Sequence, residues 1–439
     1  MDVIYSKLAS AVGIIVFIAL AACISTNRKH IDKRLVLSGI GLQVVLAFLI
    51  LGIPEWGIPG ILYPAFEAAK VGVTNLILFT QQGTQFLFGA QLLNMEQSGF
   101  IFALQVLPTI IFISSLMAIL YHLGIMQLIV KSFSWIMYKT LRVSGAEATA
   151  ASANVFVGQT EAPLMIRPFV KNMTNSELFM LMVGGMATVA GGVLAGYVAM
   201  LQEFNPDIAI HLLTASVLSA PAAIVVAKVM IPEDPGVEPE TKHGIPKSAS
   251  EKIDSNIIEA AARGASEGLK LAINVGGMLL AFLALIYMAD AILVYFGELI
   301  GFNLWGSSLD PFYTEGDNAK LTLSVVFSWL FFPFALLMGI PFDEAFLAGS
   351  LLGQKVALNE FVAYLSLAQM GEVFSERTFL ILSYALCGFA NFASIAIQIG
   401  GVGSLAPERR SDLAQMGMKS VAGGCLAAFM TACIANIFI

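Results

Sequence analysis

What most constrains this chain is a series of apolar runs without a single charged residue. Leu35 to Ile53 and Phe100 to Tyr121 are two of them, and each supplies about the 20 residues a helix needs to cross the hydrocarbon of a bilayer. Lipid offers backbone groups no water, so such runs must close their hydrogen bonds internally as helices. Composition agrees: 58% of the 439 residues are apolar and 12% are charged, against roughly 25% charged in an ordinary soluble domain. A chain so poor in charge cannot clothe itself for water, and its mean hydropathy is +0.82. Membrane lipid is therefore an expected partner. The formal charge of −7 contains no block suited to nucleic acid. Cys23, Cys387, Cys425 and Cys433 lie in apolar runs with no CxxC spacing, and His30, His122, His211 and His243 show no HExxH pairing. Both patterns argue against a disulfide frame or a metal-based catalytic centre.

Eight spans are expected: Leu8 to Ser25, Leu35 to Ile53, Phe100 to Tyr121, Leu178 to Leu201, Ile208 to Met230, Leu269 to Phe296, Phe379 to Ile399 and Ser420 to Ile439. The first imitates a signal peptide ending in Ala-Ala-Cys. Its basic cluster, Arg28, Lys29, Lys33 and Arg34, follows the apolar run instead of preceding it, so it reads as a retained span. With the amino terminus outside, the outer segments hold Lys7, Lys70, Lys320, Lys355 and Arg377, and the other 18 of the 23 basic residues lie inside. That is the asymmetry of the positive-inside rule. Both termini are then expected outside the cytoplasm, with the chain in the cell inner membrane. Leu321 to Ile340 is also apolar, but counting it as a span would invert Arg409, Arg410 and Lys419, so it is laid along the interface. Ile125 to Leu141 is read the same way, because Lys131 and Lys139 accompany Phe133, Trp135, Ile136 and Tyr138 at amphipathic spacing. Between Met230 and Lys270 runs a soluble-looking linker in which Ser248 and Glu251 are spaced as a capping box for the helix entering the sixth span. Asn274 and Asp290 in that span read as packing between subunits.

The segments between spans are more informative. Gly145 to Lys171 is an apolar half, then Gly158, Gln159, Thr160 and Glu161, then Pro163 and a second apolar half. A half of about 12 residues reaches about 18 Å, roughly half a bilayer, so the segment reads as a re-entrant hairpin with its polar tip at the midplane. Pro341 to Met370 repeats the plan: Glu344 and Ala345 mirror Glu147 and Ala148, and Glu360 after Asn359 stands where Glu161 does. Glu147 and Glu344, at the hairpin starts, read as interfacial or capping groups. Each hairpin precedes a span interrupted by small and polar residues, at Gly184 to Gly192 and at Gly388 to Ser394. Hairpin, broken span and plain span, repeated with opposite insertion, are the pattern of an inverted-repeat transporter whose site lies where the breaks meet. The expected fold is thus an all-α polytopic membrane protein of eight transmembrane helices, two re-entrant helical hairpins and interfacial helices. Its expected divisions are a scaffold region at 1–124, a first repeat at 125–230, a linker with the long sixth span at 231–340, and a second repeat at 341–439.

The runs Gly158-Gln159-Thr160-Glu161-Ala162-Pro163-Leu164, Asn359-Glu360-Phe361 and Gly388-Phe389-Ala390-Asn391-Phe392-Ala393-Ser394 together resemble the concentrative nucleoside transporter family, over essentially the whole chain and in its bacterial, sodium-coupled form. The resemblance implies a homotrimer in which a scaffold holds a mobile transport domain, and inward carriage of nucleosides with sodium or, in some bacteria, protons. It implies that Gln159, Thr160 and Glu161 face the nucleobase with Val193 nearby. Glu360, Asn391 and Ser394 would bind the ribose hydroxyls, with Phe389 lining the pocket. It further implies sodium as coupling ion, held by side-chain oxygens of Asn154 and Thr188 and by the carbonyls of Val157 and Val189. Gly158, Gln159, Thr188 and Val189 resemble the broad or pyrimidine-accepting members, so uridine and cytidine are the expected substrates, with some adenosine. The chemistry is independently consistent: carboxylates accept from vicinal hydroxyls, and amides both donate to and accept from a base. Three alternatives stay open at this point: proton coupling, a channel, and a membrane-embedded enzyme. The last lacks paired Asp motifs or a nucleophile with its base, so no enzymatic activity is expected.

Overall fold

The computed structural model describes residues 3–94, 98–99, 101–242, 244–245, 254–308, 310 and 318–439, and every regular element among them is helical. The early helices are α1 (Val3–Cys23), α2 (Lys33–Leu51), α3 (Tyr63–Phe88), α4 (Leu107–His122) and α5 (Ile125–Leu141). Asp32 starts α2 by accepting from the N–H groups of Arg34 and Leu35 at 2.8 and 3.3 Å, an N-cap of ordinary kind. The third expected span is present as Phe102–His122. No span was expected over Tyr63–Phe88, where the chain forms a helix of 26 residues. Its apolar face is interrupted by Lys70, Thr80, Gln81, Gln82 and Gln85, which breaks the run that a search for spans relies on. The amphipathic reading of α5 fits its burial: Met126, Val130, Ser134, Met137 and Leu141 recur every three or four residues on its buried side.

The first repeat follows as α6 (Gly145–Asn154), an irregular turn, a 3-10 stretch at Ala162–Ile166 and a short turn of helix at Arg167–Val170. All ten residues of α6 are buried, and most are Ala, Gly or Ser, the residue types that let helix backbones approach closely in lipid. Then come α7 (Asn175–Ala187), α8 (Gly191–Leu201) and α9 (Ile208–Met230). The break between α7 and α8 is confined to Thr188, Val189 and Ala190. Glu147, read from the sequence as an interfacial or capping group, does cap α6 with Ser144. It is nevertheless 1% exposed and ion-paired with Lys228 of α9, a partner too distant in sequence to be foreseen.

The linker's expected capping pair, Ser248 and Glu251, lies outside the described residues, as does His243. Asn256 caps the following helix, accepting from Glu259 N–H at 2.9 Å, and α10 (Ile257–Leu299) runs for 43 residues, longer than the span expected within it. Asp290 accepts from Leu323 N–H at 2.7 Å and so steadies the start of α11 (Leu323–Leu337), a contact within the chain that the sequence did not indicate. At 15 residues, α11 reaches about 22 Å, short of a bilayer core. It folds back through 118° onto α12 (Phe342–Ala357).

The second repeat is α12, α13 (Glu360–Gln369), α14 (Glu376–Leu386), α15 (Phe392–Leu405) and α16 (Arg410–Phe438). Its break runs from Cys387 to Asn391. Lys355, assigned to an outer segment by topology alone, is 0% exposed within this repeat. The span formed by α7 and α8, together with α9 and α16, is buried nearly all round, whereas α1, α2, α4 and α10 leave most of their apolar surface open. The core therefore lies in the two repeats, and the outer helices offer their faces to lipid or to other chains.

Candidate binding site

The two breaks touch. Phe389 N–H donates to Thr188 O at 3.3 Å, and a Cβ on Gly388 would come within 2.9 Å of the Met186 carbonyl, so only glycine lets the second break pass so close to the first. Hairpin 1 joins the same crossing through Gly191 N–H, which donates to Phe156 O at 3.0 Å.

Around this crossing the polar side chains form one connected chain. Gln159 Nε2 donates to Ser394 Oγ at 3.1 Å, and Asn391 caps α15 by accepting from Ser394 N–H at 2.9 Å. Asn391 Nδ2 then donates to Glu360 Oε2 at 3.0 Å. Glu360 opens α13 behind its own N-cap, Asn359, which accepts from Val362 N–H at 2.9 Å. Four expected site residues, Gln159, Ser394, Asn391 and Glu360, are thus brought together from two hairpins and a broken span, and all four are buried. The others sit around them differently. Thr160 packs on Gly401 of α15, where a Cβ would meet its methyl at 2.6 Å. Glu161 is exposed and turns back to accept from Gly158 N–H at 2.9 Å. Val193 is buried in the first turn of α8, and Phe389 is half-buried in the break.

Two members of the chain were not foreseen. Tyr197 donates to Glu360 Oε1 at 3.0 Å and stacks on Tyr364 at 4.3 Å between ring centres. Gln398 Nε2 donates to Gln159 Oε1 and to Met182 O, both at 3.0 Å, tying hairpin 1 and α7 to α15. Helical spacing could have found both: Asn391, Ser394 and Gln398 recur at three and four residues on an otherwise apolar helix, and Tyr197 stands one turn after Val193. Gln398 Oε1 is buried without a partner, an acceptor left for another group.

The expected cation ligands come from hairpin 1 and the first break. Asn154 Oδ1 is buried and unpartnered, and its amide lies 3.2 Å from where a Cβ on Gly184 would stand. Thr188 Oγ1 donates to Gly184 O at 2.8 Å, leaving its lone pairs free. Among the described residues no backbone N–H bonds to the carbonyls of Val157 or Val189. An orphaned amide oxygen, a hydroxyl with free lone pairs and two unpaired carbonyls form the all-oxygen donor set that a hard cation prefers, so these residues fit sodium.

Two helix breaks that meet at a polar crossing inside an apolar helical protein, with a buried acid beside them, are the arrangement of a secondary transporter. Three family models cover most of the chain: Na+ dependent nucleoside transporter N-terminus at residues 12–91, nucleoside recognition (Gate) at 103–204, and Na+ dependent nucleoside transporter C-terminus at 211–436. The chain is 44% identical to an uncharacterized transporter of Haemophilus influenzae, over 99% of this chain and 98% of that one. It is 37% identical to the nucleoside permease NupC of Helicobacter pylori, over 99% of both. The structure of CNTnw in an inward-facing substrate-bound state superposes with a TM-score of 0.84 at 41% identity, over 98% of both chains. A double variant of CNTnw in an outward-facing state gives 0.87 at 40%, over 99% of this chain and 98% of that one. The chain belongs to the Na+ dependent, concentrative nucleoside transporter family, a family of transporters and not of enzymes.

Proposed function

We propose that this protein imports nucleosides by sodium symport, with uridine and cytidine as its principal substrates and adenosine carried less well. The observation that carries this reading is the hydrogen-bonded chain from Gln159 through Ser394 and Asn391 to Glu360 and Tyr197. One end presents amides, which suit a base, and the other a carboxylate, which suits vicinal hydroxyls. Thr160, Glu161, Val193 and Phe389 complete the surroundings of the base and sugar. Sodium is held by Asn154, Thr188 and the carbonyls of Val157 and Val189, and it supplies the charge that orders the tip of hairpin 1.

The two repeats, 125–230 and 341–439, move as a transport domain against a scaffold drawn from 1–124 and 231–340. Alternating access of that domain exposes the site to each side in turn. The protein works as a homotrimer in the inner membrane, with both termini outside the cytoplasm; the open apolar faces of α1, α2, α4 and α10 support burial against lipid and sister chains.

Uptake of radiolabelled uridine into proteoliposomes tests the reading. Accumulation above the external concentration under an inward sodium gradient, lost when choline replaces sodium, is the expected result. Accumulation that ignores sodium and follows an imposed proton gradient would overturn sodium coupling. Flux that only dissipates a gradient would favour a channel.

A further inference from the structure

The second hairpin carries a charge for which the nucleoside chemistry has no use. Lys355, in the last turn of α12, is 0% exposed, and no carboxylate pairs with it among the described residues. Its ammonium donates to the carbonyl of Ala385 at 2.8 Å and lies 6.0 Å from the centre of the Phe429 ring. A cation buried at membrane depth is costly and is retained where it does something.

The two repeats, compared part by part, indicate what that is. Half-helix α7 begins at the cap Thr174 and stops at Ala187; half-helix α14 begins at the cap Ser375 and stops at Leu386. The last carbonyls of each stopped helix lack partners further along and carry the negative end of its dipole. In the first repeat the residue after the stop is Thr188, whose hydroxyl bonds the carbonyl of Gly184, the residue that Asn154 of hairpin 1 borders, and both side chains offer oxygen. In the second repeat the residue after the stop is Cys387, and the stretch corresponding to Asn154, counted from the acids common to both hairpins, is Leu351 to Gly353. None of these side chains offers oxygen. The ammonium of Lys355 is there instead, on the penultimate carbonyl of α14.

We propose that Lys355 is a tethered cation that does for the second repeat what sodium does for the first. It pins the tip of hairpin 2 to its half-helix and so holds Glu360 against Asn391 and Ser394. The comparison rests on the sodium reading above. Lys355 touches no part of the nucleoside and is a positioning residue. Because it cannot leave, hairpin 2 is set whether or not sodium is bound, and only hairpin 1 waits for an ion.

The test uses the full-length protein in lipid nanodiscs. Uridine affinity is measured calorimetrically at several sodium concentrations, and sodium affinity is measured without nucleoside from the rise in unfolding temperature. In Lys355→Met, of similar length but without charge, uridine binding should weaken about tenfold or more at every sodium concentration, saturation included, a loss that added ion cannot repair. The sodium midpoint without nucleoside should stay within about twofold of the parent. Lys355→Arg, which keeps the charge, should restore uridine binding, and Thr188→Ala should shift the sodium midpoint instead. A Lys355→Met protein that melts like the parent and binds uridine equally well overturns the proposal. So does one whose sodium midpoint without nucleoside shifts as that of Thr188→Ala should. Should the Met variant not fold, Lys355→Gln, which keeps a donor for the Ala385 carbonyl, carries the same comparison. Failure of the sodium reading would show separately, as parent uridine binding unchanged on replacing sodium by choline.

Discussion

Replacing Glu360 by Gln keeps the outline of the site and removes its charge, and the structure allows the cost to be worked out. The carboxylate accepts from Tyr197 and from Asn391 at 3.0 Å each, one bond on each oxygen, which leaves a lone pair on each for a ribose hydroxyl. In the Gln variant one end becomes a donor. Turned towards Asn391, its amide meets another amide donor. Turned towards Tyr197, it forces the phenol to accept and strands the phenolic proton among the rings of Phe361 and Tyr364, 4.9 and 4.3 Å away between centres. At most one native partner is therefore kept in its native sense. Converting two charge-assisted sugar contacts to neutral ones costs about 1 kcal/mol each, and the disturbed partner adds up to about 1 more. Uridine affinity should fall by about 2 to 3 kcal/mol, or about 30- to 150-fold. Calorimetric binding of uridine and of 2′-deoxyuridine to the purified parent and variant measures this. The deoxy compound, which has already given up one contact, should lose less. Tyr197→Phe combined with Glu360→Gln should be no worse than Glu360→Gln alone, because the stranded hydroxyl is gone. A correctly folded Glu360→Gln protein that binds uridine within about threefold of the parent would refute the reasoning.

Four other outcomes can be checked with the same material. Gln398→Leu should weaken uridine by about tenfold through loss of the hold on Gln159, one or two neutral hydrogen bonds at about 1 kcal/mol each, and free uracil should compete poorly with uridine in competition binding to the parent. Asn154→Ala should raise the sodium concentration needed for half-maximal uptake while leaving saturating uptake largely intact, read from sodium titrations in proteoliposomes. Lys228→Met leaves Glu147 buried without its cation, with the second partner Glu233 at 2.6 Å also released. Breaking a buried pair in this way costs about 3 to 5 kcal/mol, so the melting temperature should drop and should partly recover in Lys228→Met/Glu147→Gln.

The sequence made the hairpins and breaks legible because they violate the pattern around them. Gln159, Glu161 and Pro163 inside an apolar run, or Asn391 and Ser394 inside another, cannot be ordinary lipid-facing positions. What it concealed were the partners. Nothing local relates Tyr197 to Glu360, Gln398 to Gln159 or Lys228 to Glu147, because each pair is closed only when separate repeats or helices pack. Charge counting along the topology also gave no sign that Lys355 is buried, since it assigns a residue within a hairpin to the side from which the hairpin enters, whatever its surroundings. The helix at Tyr63–Phe88 was missed as a span for a different reason: its glutamines and threonines dilute the apolar signal.

The crossing of the two breaks also suggests how an ion on one side is felt by a sugar on the other. Thr188 reaches both ways: its hydroxyl donates to the carbonyl of Gly184, where a Cβ would stand 3.2 Å from the Asn154 amide, while its own carbonyl accepts from Phe389 N–H at 3.3 Å. Phe389 is followed two residues later by Asn391, whose side chain both caps α15 and bonds Glu360. If sodium is held as proposed, ordering Thr188 around it would restrain the peptide that sets Asn391. On the other branch, hairpin 1 is bound to the same break through Gly191 and Phe156, three residues before Gln159. Both ends of the nucleoside site are thus a few covalent bonds from the residues that would hold the ion. Thermodynamic linkage then requires the converse: a nucleoside that fixes Gln159 and Glu360 must tighten sodium by the same factor. Sodium affinity measured with and without saturating uridine should accordingly shift by the same ratio as uridine affinity measured with and without saturating sodium. In Tyr197→Phe, where the sugar end is loosened but the cation ligands are untouched, that ratio should shrink while sodium affinity without nucleoside stays put. An unchanged ratio would mean that the coupling does not pass through Glu360.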